Sequence, residues 1–322
     1  MNMIAPGGPM NSVATRRRVL QWMACSLPMF WLSQAQATAS TPERIVSMSW
    51  ELTETLLALG RVPVGMSMPD WYRKTIVEPV LPDGVPSTGL LYQPSFEALR
   101  ALNPDLLLLT PGHAGLLPAL SHFAPALILG AYMFDPKPYQ ALQVETRKMA
   151  DALGCSPQAE ALIASTEDVI GGVRQRLALQ PPLMSSPTFV ADAVDERYLR
   201  VYGAGSLFDE MLQQLGASNA AHLTGSGEGR WATNGAGFAL VPLQRLATYP
   251  DVNLLLMGPV PDAVRAALQG NPVWQAIPAV RQRRVAVMPV ICPQGGLISM
   301  QRFVRAVEQA LVQTSRREPA FV

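Results

Sequence analysis

Few side chains in this 322-residue chain have both the type and the setting to do chemistry, and most of those are aromatic. Trp50, Trp71, Tyr72, Tyr92 and Trp231 fall in predicted loops where apolar, strand-like runs have just ended. Flat rings around a few polar anchors are the usual lining of a small-ligand cleft. Arg73, Arg200 and Arg230 are candidate cations for such a cleft, because a guanidinium fork matches the paired oxygens of an anion or a metal chelate. Each of them, taken singly, also reads as a solvated surface arginine. His113 follows the run Leu106–Leu109 and the turn Pro111-Gly112, which puts it on a cleft rim as either a ligand contact or a plain loop residue. His122 falls on a predicted helix as a solvated or core residue. With His222 these are the three histidines of the chain, too few for a converging His/Cys metal set. Trp274, after Asn-Pro-Val, reads as core.

Catalytic motifs are missing from the sequence: it has no Gly-x-Ser-x-Gly elbow, no His-Glu-x-x-His and no Walker loop. Gly225-Ser-Gly-Glu-Gly229 has the glycines of an anion nest, but it does not join a strand to a helix, and its acid would repel phosphate. It reads as a surface loop. An exported enzyme using a cleft would need a nucleophile or acid–base pair that the sequence does not offer.

The elements that must hold the aromatic set come in two copies. Trp50-Glu-Leu-Thr-Glu54 through Gly60 matches Ser206-Leu-Phe-Asp-Glu210 through Gly216, each with Glu six residues before a closing Gly. Phe96 to Leu109 and Leu243 to Leu256 both read as helix, Pro-Asp turn and buried strand, in the same order. Strands alternating with helices imply mostly parallel sheets, which present ligand loops at their carboxyl ends. The fold class expected is therefore α/β, two similar lobes with a ligand cleft between them. Residues 156–181 form the connector: from Ser156, read as an N-cap, Ala159, Leu162, Ile163, Val169, Ile170, Val173 and Leu177 keep a period near 3.6, and Pro181-Pro182 stops the helix. The lobes are then 38–155 and 182–322.

Residues 1–37 stand apart. Arg16-Arg17-Arg18, an apolar run from Val19 to Leu32 and the small-x-small site Ala35-Gln36-Ala37 follow the order of a signal peptide, with twin-arginine spacing. The competing reading is a membrane anchor. Removing this segment takes away three arginines and no acids, leaving 22 basic and 24 acidic residues and a net charge of −2. That balance gives no basic field for nucleic acid. The charged fraction is 15%, low enough to support sizeable cores. Cys155 and Cys292 remain, and their spacing does not say whether they pair.

In this order and spacing the landmarks resemble the periplasmic iron-siderophore binding proteins of ABC importers, the ferric-hydroxamate (ferrichrome) type most of all. The resemblance is carried by Arg44-Ile-Val-x-x-x-Trp50, Glu54-x-Leu-Leu-Ala-Leu-Gly60, Leu81-Pro-Asp83, Gly89-Leu90 before Pro94, Gly203 to Glu210, Asn234-x-x-Gly237 and Phe303-Val-Arg305. It implies lobes joined by one long helix, a shallow aromatic cleft with little closure, and a monomer without cofactor. It also implies a ferric siderophore as ligand and an inner-membrane ABC permease as partner. Together with the aromatic and arginine candidates above, the ligand residues expected here are Trp50, Tyr72, Leu91, Tyr92, His113, Arg200, Arg230, Trp231 and Asn234. Haem is the alternative ligand, with His113 or Tyr92 as axial ligand; a carboxylate siderophore is another. The chain departs from the family pattern at the ligand. The gripping arginine is Leu91, its partnering tyrosine is His113, the tryptophan between Asn234 and Gly237 is Ala236, and the aromatic turn near Cys292-Pro-Gln294 has no rings. The first-lobe acid for permease docking falls on Pro118.

Overall fold

A computed structural model of the protein describes residues 41–223 and 231–318. In the first lobe β1 (Ile45–Ser47) leads into α1 (Trp50–Ala58), followed by β2 (Gly65–Met66), α2 (Pro69–Thr75), the short antiparallel pair β3 (Gly89–Leu90) and β4 (Gln93–Pro94), and α3 (Phe96–Leu102). Then come β5 (Leu106–Leu109), α4 (Leu117–Leu120), β6 (Ala126–Ile128) and α5 (Pro138–Ala152). Long α6 (Ser156–Ala178) follows. The second lobe holds β7 (Thr188–Ala193), β8 (Tyr198–Tyr202), α7 (Leu207–Leu215), β9 (Phe238–Pro242), α8 (Leu243–Leu246), β10 (Asn253–Met257), α9 (Asp262–Gly270), α10 (Pro272–Ala276) and α11 (Pro278–Arg281). It ends with β11 (Val285–Met288) and α12 (Leu297–Ser315).

The first sheet has the order β2-β1-β5-β6 and is parallel throughout. All four leucines of β5 are buried, because helices cover both faces and leave no solvent side that would require alternation. The second sheet has the order β11-β10-β7-β8-β9. Its first three strands are parallel and its last two antiparallel, with β7 and β8 forming the expected pair. The expected duplication is thus present in β1/β7, β5/β10 and β6/β11; the lobes differ where β2 is replaced by the antiparallel strands β8 and β9, which α7 separates in the chain. The paired helices also end alike: Gly60 and Gly216 are both left-handed, at φ +77° and +78°, where glycine stops a helix without strain.

A continuous apolar core joins the lobes. α6 buries Ala159, Leu162, Ile163, Ile170, Val173 and Leu177 in one stripe and packs on α12 and α7. Phe208 of α7 stacks on Phe303 of α12 at 4.1 Å. Each large side chain in that seam contributes about 1.5–3 kcal/mol by leaving water. One detail of the sequence reading changes: Ser156 is the first helical residue and Cys155 occupies the cap position. Both cysteines are free thiols.

Two carboxylates complete the joint. Glu54, on α1, is fully buried and accepts from Gly296 N at 2.8 Å, Ser299 N at 2.7 Å and Ser299 Oγ at 2.7 Å. It caps α12, whose own cap residue Gly296 has no side chain to offer. Glu210, on α7, accepts from Tyr139 N at 2.5 Å and caps α5, whose cap residue Lys137 makes no side-chain bond. Each lobe therefore caps the final helix of the other with the repeated glutamate.

Candidate binding cleft

The loops at the carboxyl ends of β1, β5 and β6 enclose a cavity of about 300 Å³, and Gln294 of the second lobe closes it. Its floor is Met48 and Ser49, its walls are Trp50, Glu51, Leu91 and Tyr92, and Thr110 to His113, Gly130, Met133 and Phe134 form the far side. A cavity of about 370 Å³ lies among α5, α6 and α7, lined by Gln140, Gln143, Glu167 and Arg174. It is away from the strand ends, and Tyr139 is its one ring, so the smaller cavity fits a planar or chelated guest better.

Local sequence positions each wall. Ser49 lies two residues past β1, caps α1 by accepting from Leu52 N, and donates its hydroxyl to Glu51 Oε2 at 2.7 Å. Trp50 is thereby turned into the cleft, its indole N–H donating to Ser67 O at 3.2 Å and its ring stacked on half-exposed Trp71 at 6.1 Å. Tyr92 lies on the backbone of Gly112, where a Cβ would come within 2.9 Å of its ring and push it aside. Its ring tilts over His113 at 5.1 Å.

His113 itself is buried. Nδ1 accepts from Thr110 N at 3.1 Å, which fixes the tautomer with the proton on Nε2, and Nε2 donates to Leu91 O at 2.8 Å. The imidazole ties the Leu91–Tyr92 turn to the end of β5. Both ring nitrogens are occupied, so axial ligation of haem by His113 would require breaking this tie.

Four expected residues, Trp50, Leu91, Tyr92 and His113, line this cavity. The others do not. Tyr72 is wholly buried in the first lobe with Met66, Ile76 and Leu81, and its hydroxyl donates to Pro79 O. Trp231 is buried too, stacked on Phe189 at 5.0 Å with Arg245 over its ring, and supports the second lobe instead of the cleft. Arg200 does not line the cavity; it pairs with Asp192 at 3.3 Å and lies over Phe238. Asn234 spends its Oδ1 on Ala236 N and Phe238 N, building the turn whose Gly235 faces Phe134. Gly237 closes that turn at φ +74°, against the backbone of Gly205 and Ser206, with no room for a Cβ. Arg230 and the loop Thr224 to Arg230 lie outside the described residues.

Sequence reasoning missed Glu51, Phe134, Met133 and Gln294. Glu51 looked like an ordinary first-turn helix acid, and Phe134 follows β6 inside a short turn with no motif around it. The signal available was position alone: both residues follow a strand that ends at the cleft. Among the described residues no three His, Cys, Asp or Glu side chains converge to hold a metal.

Two α/β lobes on a helical backbone, with an aromatic cleft at the strand ends, define a class of solute-binding proteins. The chain belongs to the periplasmic binding protein family, which it matches over residues 45–291. It is 34% identical to the iron(3+)-hydroxamate-binding protein FhuD of Escherichia coli (strain K12), over 92% of this chain and 96% of that protein. It is 26% identical to the achromobactin-binding periplasmic protein of Dickeya dadantii, over 86% of this chain and 88% of that one. Among solved structures, the Fe3+-Desferal complex of FhuD from Vibrio cholerae superposes with a TM-score of 0.73, at 22% identity, covering 84% of this chain and 98% of that one. Members of the family are substrate-binding transport proteins.

Proposed function

We propose that this protein captures a ferric siderophore of hydroxamate type in the interlobe cleft and delivers it to an inner-membrane ABC permease, without transforming it. The observation that carries this reading is the cavity itself: a ring-lined hollow at the carboxyl ends of the first sheet, closed by Gln294 of the second lobe. The identity with the Escherichia coli hydroxamate-binding protein over nearly the whole chain supports the ligand class. Leu91 removes the arginine expected by resemblance, so other groups must meet the ligand. The paired arginines and apolar run within residues 1–37 support export by the twin-arginine route, and we read the exported form as a monomer. Among the described residues no helix is long and apolar enough to cross a membrane.

Tryptophan fluorescence tests the reading, since Trp50 lines the cavity and Trp71 stacks on it. Saturable quenching by a ferric hydroxamate is expected, and Trp50→Phe should remove a large share of it. No quenching by any ferric hydroxamate, catecholate or citrate chelate overturns the proposal.

A further inference from the structure

The charge of the cleft points to a narrower ligand class. Every charged side chain that lines the cavity among the described residues is one residue, Glu51. Its Oε2 accepts the Ser49 hydroxyl, and no cation among the described residues pairs with it. The groups around it are acids as well. Glu54 lies one helical turn further along α1 and Asp192 near the end of β7, and both act, with Glu51, on the Cys292 thiol. Arg200, a cation of the second lobe, is taken up by Asp192. Arg302 is turned away to Glu78 and to the carbonyls of Ile76 and Val290. Two neighbouring groups, the partly buried Cys292 thiol and the buried Tyr132 hydroxyl, register this field: desolvation first, and the charge of Glu51 next, push both well up. Burial also raises the Glu51 carboxyl itself above its usual range, so an ammonium beside it favours the ionised form and gains from it, whereas an anionic guest is disfavoured.

Resting on the proposed function, we propose that Glu51 selects the ligand by charge, so that the cleft takes ferric chelates whose iron centre is neutral and whose backbone carries an ammonium group, in preference to neutral or anionic chelates of the same size. A trihydroxamate neutralises ferric iron with three negative charges, which leaves the pendant amine as the net charge of the complex. The ammonium would sit against Glu51 and the Ser49 hydroxyl, with the chelate body on Trp50 and Tyr92.

The experiment compares ferrioxamine B, which carries a primary ammonium, with its N-acetylated form, which has the same iron shell and no charge. Ferric citrate serves as the anionic probe. Calorimetric titration of the wild type should give at least a tenfold preference for the ammonium form, the size expected of one charge-assisted contact. The ratio should fall to about one in Glu51→Gln and be partly kept in Glu51→Asp, whatever the absolute affinities. Equal wild-type affinity for the two ferrioxamines, a preference that survives Glu51→Gln, or tighter binding of ferric citrate overturns the inference and leaves the proposed function standing. Failure of all ferric chelates to bind the wild type overturns both. The wild-type ratio alone decides the matter if the variants do not fold.

Discussion

Glu54 and Glu210 hold the same place in the two repeats and do the same job, yet they differ in how firmly they do it. Glu54 is sealed from water and satisfied by three donors. Glu210 is half-buried and makes one bond, to Tyr139 N. Around Glu54 the chain is closely fitted: a Cβ on Gly295 would come within 2.9 Å of the carboxylate, and one on Gly296 within 3.1 Å. Duplication preserved the wiring of the joint, with each lobe capping the other's last helix. Packing then made one corner dry and stiff and left the other wet. Rigid attachment at the α1–α12 corner is the one nearer the cavity, since Trp50 and Glu51 begin the same helix that carries Glu54.

The comparison can be broken most directly at the dry corner. Glu54→Ala should lower the unfolding free energy by about 3 kcal/mol, because it leaves the Gly296 and Ser299 donors buried without an acceptor; urea denaturation measures it. Acidity gives a second handle. Burial, opposed by the bonds from Ser299 and Gly296, pushes Glu54 up to about 7 from its usual 4.5. The folded chain therefore binds more protons than the unfolded chain between those two values. The contribution of this group to stability is present below about pH 4.5, declines as pH rises through the window, and is gone above about 7, a span of up to about 3 kcal/mol. Urea midpoints between pH 4.5 and 8 should show this decline in the wild type and lack it in Glu54→Ala. Glu210→Ala should cost about 1 kcal/mol, the ordinary worth of a helix cap, and equal losses at the two glutamates would refute the contrast between the corners. The smallest effect is the coupling: the double variant should match the sum of the singles within about 0.5 kcal/mol, as expected of separate sites.

Much of this arrangement was legible in the sequence because it follows from repetition and period. The Glu-to-Gly spacing exposed the duplicated helix, and the 3.6-residue stripe from Ala159 to Leu177 exposed the connector. Side-chain destinations were harder. Trp71 and Tyr72 are neighbours on one short helix, which the Pro-rich passage disguised as a loop; a helix turns successive residues about 100° apart, so one ring reaches the cleft and the other the core. Trp231 follows a glycine-rich loop, which suggested a rim, but Phe189 and Tyr249 offer it an aromatic nest beneath β7. In the sequence His113 reads as either a ligand contact or a plain loop residue; it is buried beside the cavity, and its role as a tie could only come from the partners of both nitrogens. Glu51 went unnoticed because acids are common in the first turn of helices.

The cross-capping also dictates an order of assembly. Glu54 meets its donors on Ser299 across 245 positions of chain, so the opening third of the polypeptide emerges from the ribosome lacking a partner that is made almost last. Its strands can pair early, but the Glu54 carboxylate on α1 gains its three donors only once the start of α12 has been synthesised. Contacts of such long sequence separation slow folding and keep immature chains dependent on protection from association. The hollow beside Trp50 takes its last wall, Gln294, from the turn just before α12, so that wall is among the final parts of the chain to be made.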